Sequence, residues 1–163
     1  NTGRSVPPHK CDRTNCVSLI GHKLYDQMSH YVYGKQATAE TSPVEGAEIA
    51  LELLSRKGFC IYIVTNRDAS QTQYARSWLK KHSLTRHVYK VLSSAEKSKV
   101  RICQRIHAKW LMDDDIRHLK PTVAHNLRLV LYKPMSPVPH LPDDVIHVSS
   151  WEEFSKLVME TVQ

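Results

Sequence analysis

Long apolar runs are missing from this 163-residue chain. A membrane-spanning helix needs roughly 18 or more consecutive apolar residues, and no stretch approaches that, nor do the first residues carry the apolar core of a secretory leader. The expectation is a protein that does not enter a membrane. Cysteine is sparse, with four residues at 11, 16, 60 and 103. That spacing is no dense disulfide framework, and two of them fall inside apolar segments, which points to an intracellular, reducing compartment. No block of five cations occurs, although Lys and Arg number 23 against 16 Asp and Glu, a formal +7. Scattered charge of this kind reads first as a solvated surface, while its sign is compatible with a polyanion such as nucleic acid. No internal repeat or low-complexity segment is present.

What is there suits one domain. Apolar residues make up 41% of the chain, and a chain of this length buries roughly two thirds of its unfolded surface without needing a metal or a disulfide. Residues 1–15 are polar, contain Pro7 and Pro8, and read as an irregular arm. Residues 16–163 read as a single domain. Cys16 to Ile20 is a short apolar run, expected to be a buried strand that turns at Gly21. Residues 26 to 43 are polar and aromatic with weak periodicity. Glu45 to Arg56 places Ala47, Ala50, Leu51 and Leu54 at helical spacing and closes at Gly58 before the apolar strand Phe59 to Val64. Further helices are expected at 69–81, with Tyr74, Ala75, Trp78 and Leu79 on one face, and at 97–106. Further strands are expected at 88–92, 110–112, 127–132 and 145–148. Ser149 or Ser150 caps a last helix whose inner side is Trp151, Phe154, Leu157 and Val158. Trp78, Trp110 and Trp151 read as core residues. Apolar strands alternating with helices are what a mainly parallel sheet covered on both faces requires, so the class is a three-layer α/β/α sandwich.

Candidate chemistry gathers at strand ends, where open α/β sheets collect their functional groups. Asp113, Asp114 and Asp115 follow an apolar strand directly. Their repulsion asks for a cation, Mg²⁺ above all, or for a basic neighbour, and a capped, solvated turn explains them equally well. Thr65, Asn66 and Arg67 end the strand 59–64 and could hold a phosphate through hydroxyl, amide and guanidinium, or simply cap the next helix. His9, Cys11, Cys16 and His22 include zinc-ligand types, at spacings that match no strong zinc pattern.

These motifs together resemble the haloacid dehalogenase (HAD) superfamily over nearly all of residues 16 to 150. The apolar strand ending in Thr65, with Asn66 and Arg67 after it, is similar to that family's second motif. Lys97 or Lys99 qualifies for the third, and the strand ending in Asp113 and Asp114 for the fourth. The stretch from Ser42 through Gly58 looks like the usual approach to the second motif. The resemblance implies a Rossmann-like fold with little or no cap. It also implies a phosphate pocket formed by Thr65, Asn66, Arg67 and Lys97, with Asp113 and Asp114 as Mg²⁺ ligands. It departs at the first motif, where the family's spacing puts Leu19 at the nucleophile and Gly21 at the general acid. Neither residue can do that chemistry, and Asp12 could replace them only in a shifted register. The expectation is therefore a catalytically inactive HAD-like domain without a cofactor, used for binding or scaffolding. Its expected partner is a protein or larger assembly, with nucleic acid as a second class. The alternative is a divergent Mg²⁺-dependent phosphatase acting on a phosphomonoester such as a nucleotide or polynucleotide end.

Overall fold

A computed structural model describes residues 13–95, 97–120, 126–135, 138 and 140–161. Most of residues 1–15, including Asp12, His9 and Cys11, lie outside the described residues. The chain opens with three short helices, α1 (Arg13–Ile20), α2 (His22–Val32) and α3 (Lys35–Glu40). The strand expected over Cys16 to Ile20 is therefore helix, and helix begins inside the span assigned to an irregular arm. A five-residue apolar run has no period that separates strand from helix. Among the described residues no strand lies alongside to accept it, and Leu19 remains 42% exposed. Gly21 parts α1 from α2 with φ at +77°, a left-handed value that a side chain would oppose.

The remaining elements alternate. They are α4 (Ala47–Arg56), β1 (Tyr62–Thr65), α5 (Ala69–Lys81), β2 (Lys90–Ser93), α6 (Lys99–Arg105), β3 (Trp110–Asp113), β4 (Arg128–Tyr132), β5 (Val145–Val148) and α7 (Trp151–Glu160). Single 3-10 turns occupy Thr85–His87 and Ile116–His118. Helix α5 and strand β5 have the bounds read from the sequence. Strand β1 is shorter than expected because only Tyr62–Thr65 finds a partner, in β2.

All strand pairings are parallel. β1 pairs with β2, aligning Ile63 with Val91, and β3, β4 and β5 form a second ladder in which Leu111 aligns with Leu129 and Val130 with Ile146. The two ladders do not join: β1 and β3 each keep one unpaired edge among the described residues. Helices cover both faces. On one, Leu54, Phe154 and Val158 pack over Val130 and Val148, with Trp110, Met112 and Ile61 beside them. Leu51, Leu79 and Leu84 continue that layer over Ile63 and Val91. On the other face, Val100 and Cys103 of α6 pack on Leu111, Leu129, Leu131 and Val64. This is the three-layer α/β/α sandwich expected, with minimal cap.

Two local devices fix α7 and α4. The Ser150 hydroxyl accepts from the Glu153 N–H at 3.1 Å, while the Glu153 carboxylate accepts from the Ser149 N–H at 2.7 Å, so both serines serve the start of α7. Gly46 starts α4 with φ at +77°, and a Cβ there would meet Trp151 Cβ at 3.4 Å. Trp151 belongs to the layers over both ladders. Trp78 and Trp110 are half-buried in the same layers, and the Trp78 indole N–H donates to the Thr41 carbonyl at 2.7 Å.

Candidate functional site

The turns leaving β1 and β3 touch, so the two strands end side by side. Asn66 Nδ2 lies 3.0 Å from His118 Nε2, which joins the residue after β1 to the turn after β3. The Asn66 side-chain oxygen Oδ1 accepts from the buried Ser94 hydroxyl at 2.6 Å. Asn66 is thereby held between the ends of β2 and β3, a structural task that also blunts its use toward a ligand.

Lys99 stands in the first turn of α6, whose N-cap is Ser98. Its ammonium reaches Asp113 Oδ2 at 2.6 Å, with the two side chains 14% and 3% exposed. Asp113 Oδ1 accepts the Asp115 N–H at 3.0 Å. Both oxygens of Asp113 are thus engaged, one by a cation that the protein supplies itself. Of the two lysines open to the third-motif role, Lys99 makes this pair, and Lys97 is exposed before the helix begins.

Asp114 is exposed. Crowding by surrounding protein, and next the charge on Asp113, raise its carboxyl above the ordinary range. For Asp115, partial burial pushes upward, but hydrogen bonds and charge from Arg117 outweigh it and the net shift is downward. Arg117 Nε donates to both Asp115 oxygens, at 2.9 and 3.0 Å. Across the acid triplet, Asp113 and Asp115 are neutralised by Lys99 and Arg117, and Asp114 is left facing water. Of the two carboxylates expected to hold magnesium, Asp113 is therefore occupied by Lys99, and Asp114 alone keeps its oxygens open to water. Among the described residues, no group of three or more His, Cys, Asp or Glu could hold a metal ion. Cys16 and His22 of the zinc candidates are within the described residues, on α1 and α2.

The phosphate-binding candidates separate. Thr65 is half-buried, and its hydroxyl accepts from the Arg67 N–H at 3.3 Å. The Arg67 guanidinium runs to α3, donating to Thr38 at 3.3 Å and lying 5.0 Å from the centre of the Tyr33 ring. Desolvation lowers its pKa, with Tyr33 opposing, and its Nε is buried without a partner. Arg67 is thus committed to the junction between the opening helices and the sheet, not to a shared cradle with Lys99. Leu19 lies in α1 and Gly21 between α1 and α2, neither at a strand end. The family's spacing puts those two at the degenerate first motif, which needs a strand end, whereas the segment that carries them is helical.

Sequence reasoning missed His118, Ser94 and Thr38. No motif marks them, and each matters through a partner 28 to 52 positions away. Asp115 was visible as the third acid of its run, but its role in capping the turn at Ile116 depends on Arg117 folding back.

Comparison with family models finds no match, and comparison with curated proteins likewise finds none. Among solved structures, the chain is similar to a HAD-superfamily hydrolase from Ehrlichia chaffeensis. The identity is 12%, the alignment covers 98% of this chain and 82% of that one, and the TM-score is 0.55. A likeness at this identity establishes a HAD-like fold.

Proposed function

We propose that this chain is a HAD-like domain that binds rather than hydrolyses, a recognition or scaffolding module for a polypeptide partner. One observation supports it above others. At the shared end of β1 and β3, the carboxylate best placed for chemistry, Asp113, is closed into an ion pair with Lys99 at 2.6 Å. No described strand brings a second acid beside Thr65 to act as nucleophile. Nucleic acid is a second partner class compatible with the +7 charge.

The runner-up is a divergent phosphatase acting on a phosphomonoester. It draws on the retention of Thr65, Asp113 and Asp114 at or just after strand ends and of Lys99 at the start of α6, and on a fold shared with a hydrolase. Phosphate release from nucleotides, phosphosugars and 5′- or 3′-phosphorylated oligonucleotides, with and without Mg²⁺, separates the two. The binding reading expects no turnover from folded protein. Mg²⁺-dependent turnover abolished by Asp113→Asn or Asp114→Asn would overturn it.

A further inference from the structure

The unpaired edges of β1 and β3 face one another across a cavity of about 1090 Å³. Its walls have an unusual regularity. Every residue from Phe59 to Val64 lines one side, and every residue from Ile106 to Asp114 lines the other. A sheet face exposes alternate residues, so the unbroken lining by the strand residues Tyr62–Val64 and Trp110–Asp113 marks two strands seen from their edges. Leu51 and Leu54 of α4 with Trp151 and Phe154 of α7 close the cavity on one face, and Lys99 and Cys103 of α6 close it on the other. The space is a slot with backbone at its two sides and apolar helices above and below.

The ladders show which backbone groups are left over. Tyr89 N–H donates to the Ile61 carbonyl and Ser94 N–H to the Thr65 carbonyl, so alternate residues Ile61, Ile63 and Thr65 point toward β2. In a strand the N–H and C=O of one residue share a side and alternate along the chain. Cys60, Tyr62 and Val64 therefore turn theirs to the slot. Arg128 N–H donates to the Lys109 carbonyl. By the same alternation Trp110 and Met112 turn theirs to the slot from the other wall. Backbone polar groups buried without partners are costly, and two facing rows of them are complementary to one further strand.

We infer that this slot is a docking site for a single apolar β-strand donated by polypeptide outside residues 1–163, inserted parallel between β1 and β3. The inserted strand completes a sheet in the order β2, β1, donor, β3, β4, β5. Parallel orientation follows from the Asn66 to His118 contact, which ties the ends of β1 and β3 together and makes both walls run the same way. Strand addition at a sheet edge supplies affinity through main-chain hydrogen bonds and specificity through side-chain pockets. A donor covered on both faces must be apolar throughout. The slot also states a charge preference, since His107, Lys109 and Arg128 line its amino-terminal mouth. That mouth favours acidic residues just before the donor strand. Residues 1–12 do not match this chemistry: they are largely polar, and Pro7 and Pro8 lack the N–H groups a central strand must donate.

This inference rests on the binding reading and names its partner. A peptide of the form Glu-Glu-Val-Ile-Val-Leu-Val-Asp is added to the 163-residue chain, and amide hydrogen exchange is followed residue by residue. Tyr62, Val64, Trp110 and Met112 should slow by tenfold or more, while Ile63 and Leu111, already paired in their ladders, should change little. Alkylation of exposed Cys60, which sits in the slot wall, should slow in parallel. A peptide with Pro at its central position should do neither. No protection at millimolar peptide, or equal protection from the Pro peptide, overturns the inference. So does protection that appears on raising protein concentration without peptide, because a second copy would then fill the slot. Turnover of a phosphomonoester by the chain alone would defeat the binding reading while leaving these exchange rates as the separate test of the slot.

Discussion

Replacing Lys99 with Met would strand the Asp113 carboxylate, whose side chain is 3% exposed, without its cation. At 2.6 Å and an effective dielectric near 20, the gross attraction in the pair is about 6 kcal/mol. Most of that only offsets the desolvation of both ions. Removing one partner is different, because the remaining charge keeps its desolvation cost and loses its compensation, typically about 3–5 kcal/mol. The Asp115 N–H still serves Asp113 Oδ1, which argues for the lower half of that range. A chain of this size loses about 2–4 °C per kcal/mol, so K99M should melt roughly 6–16 °C below the parent. The double change K99M/D113L removes both charges and should return to within about 1 kcal/mol of the parent. Urea denaturation of the four proteins, analysed as a double-mutant cycle, supplies the coupling energy. If K99M falls within about 0.5 kcal/mol of the parent, the pair is behaving as a hydrated surface bridge, and the argument that Asp113 is sequestered fails with it.

Ser150→Ala removes the hydroxyl that caps α7 and should cost about 1 kcal/mol, read as a shift of the urea midpoint with unchanged slope. Asp114→Asn should stabilise slightly at neutral pH. The Asp114 carboxyl is raised by crowding and by Asp113, so the folded chain binds its proton more tightly than the unfolded chain, and stability declines as pH rises from the ordinary carboxylate range through the raised value. Because Asp114 is exposed, screening holds the gain below about 1 kcal/mol, and it should vanish in melts below about pH 3.5. A gain that persists in acid would contradict the cause assigned. Cys103, pushed up to about 11 by burial first, with Lys99 lowering and Asp113 raising, should resist iodoacetamide at pH 8 until denaturant is added, whereas peptide mapping should find Cys60 alkylated in the native chain.

The sequence carried the alternating elements well, and for a physical reason. Helix α5 announces itself by Ala75, Trp78 and Leu79 on one face, with Asp68 accepting the Gln71 N–H as its cap. α7 does the same through Ser150 and Phe154. These are local signals. Cys16 to Ile20 failed because a short apolar run reads alike for both states, and only a neighbouring strand could have decided it. The choice between Lys97 and Lys99 was not local either. Both lie near the start of α6, and what selects Lys99 is its reach to Asp113, fourteen positions along the chain. Arg67 looked like a phosphate ligand beside Thr65 because nothing in the tripeptide reveals Thr38 and Tyr33 waiting in the opening helices. The slot was invisible for the same reason in stronger form, since an unpaired edge is a property of pairings between distant segments.

The bridging position of Trp151 has a consequence for the order in which the chain is made. α7 is the last described element, and its Trp151 packs on layers over both ladders. During synthesis the first ladder is complete at Ser93, some 58 residues before Trp151 emerges. At about 5–20 residues per second that interval is roughly 3–12 s. Throughout it the β1 edge lacks part of its apolar roof, a state in which exposed edges are prone to wrong pairings. A donor strand already tethered nearby would meet that edge before the roof closes, whereas one arriving later must enter between finished walls. Insertion into the nascent chain and insertion into the finished protein should therefore differ in rate by far more than they differ in final affinity, and the ribosome's pace, not the depth of the slot, would set which strand is captured.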